Sequence, residues 1–227
     1  MKAIGRGSDA IVEAPRADRV LIEMSSFALA AKLAQAERLA RSGATMLDCE
    51  VSGLPAQVAA RKAVIFKAGD ARVIQDMTPV FDAIAEKHFN LGPLGAATKM
   101  KLIANTMVCV HNLMAAEALN LGKRAGLSTD LMIEVLGPSA AGSNTFTNKA
   151  PLMAERRFAN GVGPFRHMFG YLGRASELAG QVGAASPLLD MTRRLYGVAE
   201  RENRHDQDIA AMIEVVEELQ REETQGD

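Results

Sequence analysis

Lys101, Asn105 and Asn112 stand in a run where nearly every other position from Leu102 to Leu121 is apolar. At about 100° per residue they fall, with Val108, on one narrow stripe of a helix. A cation and two amides on such a stripe cost free energy unless they pair or face a cleft. A lysine drawn toward neutrality by burial can take up a hydroxyl proton and return it. An amide one turn further on can hold the hydroxyl or the amine in line. A plainer reading is a lysine snorkelling from a first turn and two amides capping neighbouring elements. His111 lies off the stripe as a packed or exposed histidine, and Glu117 reads as a packing residue.

Two further polar pairs follow short aliphatic runs: Ser25-Ser26 after Val20-Leu-Ile-Glu-Met24, and Ser52-Gly53 after Ala44 to Val51. In open α/β sheets, ligands sit at the carboxyl ends of strands, so both pairs are placed for ligand contact. Each has an ordinary alternative, a helix N-cap for the first and a plain turn for the second.

The elements that must position these residues follow from pattern and punctuation. Strands are predicted over 18–24, 44–51, 62–67 and 88–91, each short, aliphatic or β-branched. Between them the sequence predicts a helix over 27–41, capped by Ser25-Ser26 and stopped by Gly43. A second helix is predicted over 71–87, kinked or divided by Pro79. Residues 1–17 carry no strong periodicity and are broken by Gly5, Gly7 and Pro15. After Gly92 only helical patterns remain, over 94–121, 129–137, 147–157, 166–182, 187–202 and 206–221. Gly161-Val-Gly-Pro164 punctuates them, and Ser143-Asn144 sits in a polar loop. The expectation is an α/β fold, an incomplete Rossmann-type parallel sheet over 1–91, followed by an all-α domain over 92–227.

Composition excludes several classes. The net charge of −1 and scattered basic residues give no nucleic-acid footprint. With no Trp and only 2 Tyr, few stacking platforms exist for bases. The apolar run after Lys101 approaches membrane-span length, but Lys101, Asn105, His111, Asn112 and Glu117 interrupt it, so it reads as a core helix. Cys49 and Cys109 form neither a disulfide framework nor a metal-ligand spacing. Met1 to Arg6 lacks an apolar signal region. A reducing, cytoplasmic setting is expected, with no metal, nucleic acid or membrane partner.

Five segments in order resemble the β-hydroxyacid dehydrogenase family, which includes 3-hydroxyisobutyrate and 6-phosphogluconate dehydrogenases. Glu23-Met-Ser25-Ser26 is similar to the family's Asp-Met-Ser-Thr strand end. Asp48-Cys-Glu-Val-Ser52-Gly53-Leu54-Pro55 is similar to its Asp-x-Pro-Val-Ser-Gly-Gly substrate loop. Gly92-Pro-Leu-Gly95-Ala-Ala97, followed by Lys101 and Asn105, is similar to its Gly-x-x-Gly-x-Gly-x-x-x-Lys-x-x-x-Asn signature. Ala116 to Leu127 and Asp206-Gln-Asp208 also follow the pattern. The resemblance implies an NAD- or NADP-dependent oxidoreductase acting on a small hydroxy acid or its semialdehyde. Lys101 and Asn105 would then be catalytic, Ser52 and Gly53 substrate-binding, Ser25 and Ser26 cofactor-binding. Asn112 would give support from behind at most and reads nearer to a core amide, and the helical half would dimerise through its long helices.

The chain also departs from that pattern. The family's opening Gly-x-Gly-x-Met-Gly is absent, and Gly5-Arg-Gly7 follows no apolar strand. The sequence therefore reads as starting inside the dinucleotide domain. A chain without that phosphate cradle is expected to bind either dinucleotide no more tightly than millimolar. Leu54 and Ala97 replace family glycines, and Phe169-Gly170-Tyr171-Leu172 stands where the family has Lys-Asp-Leu, removing a second lysine. The alternative expectation is a truncated, non-catalytic remnant that acts as a dimerising or small-acid-binding helical module.

Overall fold

The computed structural model describes residues 18–159 and 163–225. Gly5, Gly7 and Pro15, and the Gly161-Val162 punctuation, lie outside them. The chain divides into two compact units, one through Leu102 and one from Ile103.

Among the described residues the first unit is a four-stranded sheet with helices. β1 (Val20–Glu23) leads to α1 (Leu29–Arg41), and β2 (Thr45–Ser52) leads to the short α2 (Pro55–Ala59). β3 (Val64–Ala68), α3 (Ala71–Asp76), α4 (Thr78–Ile84) and β4 (Lys87–Asn90) complete it. Strand order follows the chain, β1-β2-β3-β4. The α/β class holds, but the sheet is mixed: β1–β2 and β3–β4 are parallel and β2–β3 antiparallel. The reason is length. A parallel crossover needs a dozen or more residues, usually with a full helix, and the segment from Gly53 to Ala63 holds only five helical residues. Pro55, read from sequence as a break, is the first residue of α2, where its missing N–H costs nothing. Pro79 divides the second predicted helix, and the junction falls at Met77.

The two faces of β2 differ. Leu47 and Cys49 point into a dry cluster with Ile65, Ile74, Phe81 and Ala85. Lys67 intrudes there with its ammonium 4.7 Å from the centre of the Phe81 ring and 2.7 Å from His88 Nδ1. Burial holds its pKa below the ordinary lysine value. On the other face, Met46 packs with Leu39 and Ala44 under α1. Above Met46 the same face carries Asp48 and Glu50, which meet Lys32 of α1.

The second unit is helical. α5 (Ala96–Arg124) begins in the first unit and continues into this one. By length and composition it could cross a membrane. Asn105 and Asn112 are buried within it and Lys101 lies half-buried, the habit of a core helix. α6 (Thr129–Leu136), α7 (Asn144–Ala154), α8 (Phe165–Val182), α9 (Pro187–Arg201) and α10 (Met212–Gln225) follow, the last behind a 3₁₀ turn over Ile209–Ala211. α7 starts three residues before its predicted position because the Ser143 side chain caps it, accepting from Phe146 N at 3.0 Å. Ser143-Asn144 is therefore a helix start, not a loop. Asn112 is a core amide: its Nδ2 donates to the Tyr196 hydroxyl at 3.1 Å and to the Ile209 carbonyl at 2.8 Å. Lys149 and Asp208 form a buried pair at 2.7 Å, and Asp208 also accepts from Ala210 N. Phe169 stacks on Phe165 and Leu172 is buried, so the stretch in place of the family's Lys-Asp-Leu serves packing.

Candidate active site at the strand ends

Because β1 and β2 run parallel, Ser25-Ser26 and Ser52-Gly53 emerge at the same edge of the sheet. The serines after β1 do not cap α1. Its N-cap is Ala28, which makes no side-chain bond. Instead the Ser25 hydroxyl donates to Glu23 Oε1, and the Ser26 hydroxyl donates to Glu50 Oε2 at 3.2 Å. A hydroxyl that has spent its proton on a carboxylate keeps lone pairs to accept from another donor, such as a sugar hydroxyl.

Ser52 ends β2 half-buried, and Gly53 follows it. A Cβ on Gly53 would lie 2.8 Å from Ala63 Cβ, so the close approach of the two chain segments calls for glycine. Gly95, at φ +93°, sits where a Cβ would lie 2.8 Å from Leu29 Cδ1, and that glycine lets α5 start against α1. Thr98 in the first turn of α5 is bound to Asp48: its N–H donates to Oδ2 at 2.9 Å and its hydroxyl to Oδ1 at 2.8 Å. One turn on, Lys101 Nζ donates to the Val51 carbonyl at 2.7 Å, at the end of β2. Lys101, Ser26, Ser52 and Gly53 thus gather around the last residues of β2. Asn105 follows on α5 in the second unit, with only 6% of its surface exposed and no hydrogen-bond partner for Nδ2 among the described residues. A buried amide N–H₂ without an acceptor is costly in the resting state.

Sequence reasoning missed the charges beneath these residues. Lys32 is 1% exposed and reaches Asp48 Oδ1 at 3.0 Å and Glu50 Oε1 at 2.9 Å. Burial pulls the Lys32 pKa down, yet the Glu50 and Asp48 carboxylates outweigh it and hold it above the ordinary value. Burial pushes the Glu50 carboxyl up, against the opposing pull of Lys32, Ser26 and Lys101. For Lys101 burial dominates: its pKa lies below the ordinary lysine value, although the Glu50 charge opposes the shift. The one available signal was the alternation Leu47-Asp48-Cys49-Glu50-Val51, which places two acids on the same face of a buried strand.

More than half of the chain, residues 95–216, matches the family described as NAD-binding of NADP-dependent 3-hydroxyisobutyrate dehydrogenase. Residues 1–92 match the NAD binding domain of 6-phosphogluconate dehydrogenase. The chain belongs to the β-hydroxyacid dehydrogenase family. Among relatives of this family, an uncharacterized oxidoreductase of Synechocystis is 32% identical over 155 residues, covering 68% of this chain and 53% of the relative. Glyoxylate/succinic semialdehyde reductase 2 of Arabidopsis thaliana is 25% identical over 195 residues, covering 86% and 54%. The chain thus spans about half the length of these curated relatives. Its fold matches the crystal structure of 3-hydroxyisobutyrate dehydrogenase from Salmonella typhimurium with a TM-score of 0.83 at 23% identity, covering 91% of this chain and 73% of that one.

Proposed function

We propose that this β-hydroxyacid dehydrogenase transfers hydride between NAD or NADP and a small hydroxy acid, with Lys101 as the proton-transfer group. The observation that carries this is Lys101 itself: its amine is held at the carboxyl end of β2, with its pKa lowered by burial. A group that must both take and give a proton near neutral pH needs that lowering. The bound nicotinamide would supply the hydride acceptor or donor. Every proton then passes through this chain: in oxidation the neutral Lys101 amine accepts the substrate hydroxyl proton, and in reduction its ammonium returns one to the carbonyl oxygen. Asn105 would orient that oxygen, an acceptor for the N–H₂ that has none among the described residues. Ser52 and the Gly53 backbone would receive the substrate carboxylate. Ser25 and Ser26, hydroxyl side chains at the end of β1, fit the sugar next to the nicotinamide. The described residues supply no phosphate cradle, so we assign only the nicotinamide end of the cofactor.

In this reading residues 1–91 are part of a dinucleotide-binding domain. Residues 92–227 form the substrate and dimerisation domain of a cytoplasmic homo-oligomer. Met100, Ile103, Met107, Met114 and Leu121 are exposed on α5, in a stripe at spacings of three, four and seven residues. Such a stripe suits a second copy of the chain. No nucleic acid or membrane takes part.

The deciding experiment measures turnover of a panel of small hydroxy acids with millimolar NAD or NADP, for the native chain and Lys101→Ala, with sedimentation of the same samples. Turnover that falls at least ~10²-fold in the variant is expected. A rate unchanged by Lys101→Ala would end the assignment.

A further inference from the structure

Glu50 is the residue of the strand-end cluster that contacts neither substrate nor cofactor in the proposed reaction. In the family pattern the position holds proline, which has no charge. Here the side chain is 1% exposed and both carboxylate oxygens are occupied, Oε1 by Lys32 Nζ at 2.9 Å and Oε2 by the Ser26 hydroxyl at 3.2 Å. Its neighbour in sequence, Val51, supplies the carbonyl that holds Lys101 Nζ at 2.7 Å. A fixed anion is therefore anchored one residue from the point where the Lys101 amine is tied.

We propose that Glu50 is a positioning residue for Lys101: clamped by Lys32 and Ser26, its carboxylate sets the field in which the Lys101 amine gains and loses its proton. The proposal rests on the reading of Lys101 as the proton-transfer group, but the charge effect stands or falls separately.

Among the described residues of the first unit, charged groups reach this end of the sheet from several elements. From α1 comes Lys32, from β2 Asp48 and Glu50, and from the end of β1 Glu23 with its charge tied to Ser25. Thr98 on the same helix is committed to Asp48, and Lys99 is exposed. Removing the Glu50 charge takes away the carboxylate that favours the Lys101 ammonium and makes its proton easier to lose. Removing the Lys32 charge has the opposite effect, because Lys32 then no longer offsets the Glu50 charge that acts on Lys101. A merely structural role for the cluster would not reverse sign between the two.

The test reads Lys101 directly. The full chain carries ¹³C-dimethylated lysines, the Lys101 signal is assigned by its loss in Lys101→Arg, and its titration midpoint is followed by NMR. Circular dichroism verifies the fold of each variant. Glu50→Gln is expected to lower the midpoint by about 1 pH unit and Lys32→Gln to raise it by a similar amount. Glu50→Asp, which keeps the charge, is expected to stay within a few tenths of a unit. The acid limb of the kcat/KM profile for oxidation should move with the midpoint. Midpoints that stay together in Glu50→Gln and Lys32→Gln, or that move in the same direction, would overturn the proposal. Should Glu50→Gln fail to fold, the direction of the Lys32→Gln shift decides. Opposite shifts in a chain without turnover would keep the charge effect and end the functional reading instead.

Discussion

The two faces of β2 are built from one strand and lead to different physics. Toward α3 and α4, Leu47, Cys49 and Ile65 are fully buried in a cluster dominated by aliphatic and aromatic contact. Toward α1, the same strand buries Asp48 and Glu50 against Lys32. The first face gains from removing apolar area from water. The second gives up desolvation free energy that close pairing only partly returns. Stability comes from the first face, and the second, at the edge where ligands enter such sheets, is where a fold can hold strain for chemistry.

Breaking the charged face should give the largest effect. Lys32→Met leaves two buried carboxylates without their cation and is expected to cost about 3–5 kcal/mol by denaturant unfolding at pH 7. The loss should shrink on acidification. Burial already holds the Glu50 pKa above its unfolded value, and losing Lys32 raises it further. A carboxyl raised in the folded state contributes stability that is full below its unfolded pKa and is lost as pH rises through the folded one. A deficit equal at pH 4.5 and pH 7 would contradict the uncompensated-charge account.

Leu47→Ala on the dry face should cost about 2–5 kcal/mol, and that cost should not change over the same pH range. A strong pH dependence there would blur the contrast between the faces. The smallest effect concerns the thiols. Burial pushes the Cys49 pKa to about 12, and that of Cys109 likewise to about 12. Neither should react with a thiol-specific disulfide reagent at pH 8 in the native state, while both should react in denaturant. Rapid native labelling of Cys49 would mean that the dry face admits water.

The comparison also marks what the sequence could convey. The four strands and the long helices were legible because aliphatic runs and 3.6-residue periods are local. The stop at Gly43, with φ +79°, was legible because glycine takes a left-handed conformation at little cost. The role of Ser25-Ser26 was not: the pair looks like an N-cap, and only the fold brings Glu50 within reach of Ser26 from 24 residues away. Lys32 was hidden for the same reason, as a single lysine in an Ala- and Leu-rich helical pattern, with partners 16 and 18 residues further along the chain. The antiparallel step was missed because alternating strands and helices suggest crossovers, and nothing but the length of the segment before Val64 argues otherwise. Asn112 and Asn105 look equivalent on a helical stripe, yet the Nδ2 of the first donates to Tyr196 and Ile209 while that of the second has no partner among the described residues.

That antiparallel step has a consequence for assembly. Ser52 pairs with Val64 across a short, tightly turned segment, whereas β1 meets β2 only after the whole of α1 has been laid down. Closing a short loop costs less chain entropy than closing a long one, and local pairings are favoured early in folding. β2 and β3 are therefore expected to form the nucleus, with the dry cluster of Leu47, Cys49 and Ile65 condensing first. The buried ions of the opposite face would be the last to leave water, once a scaffold exists to hold them.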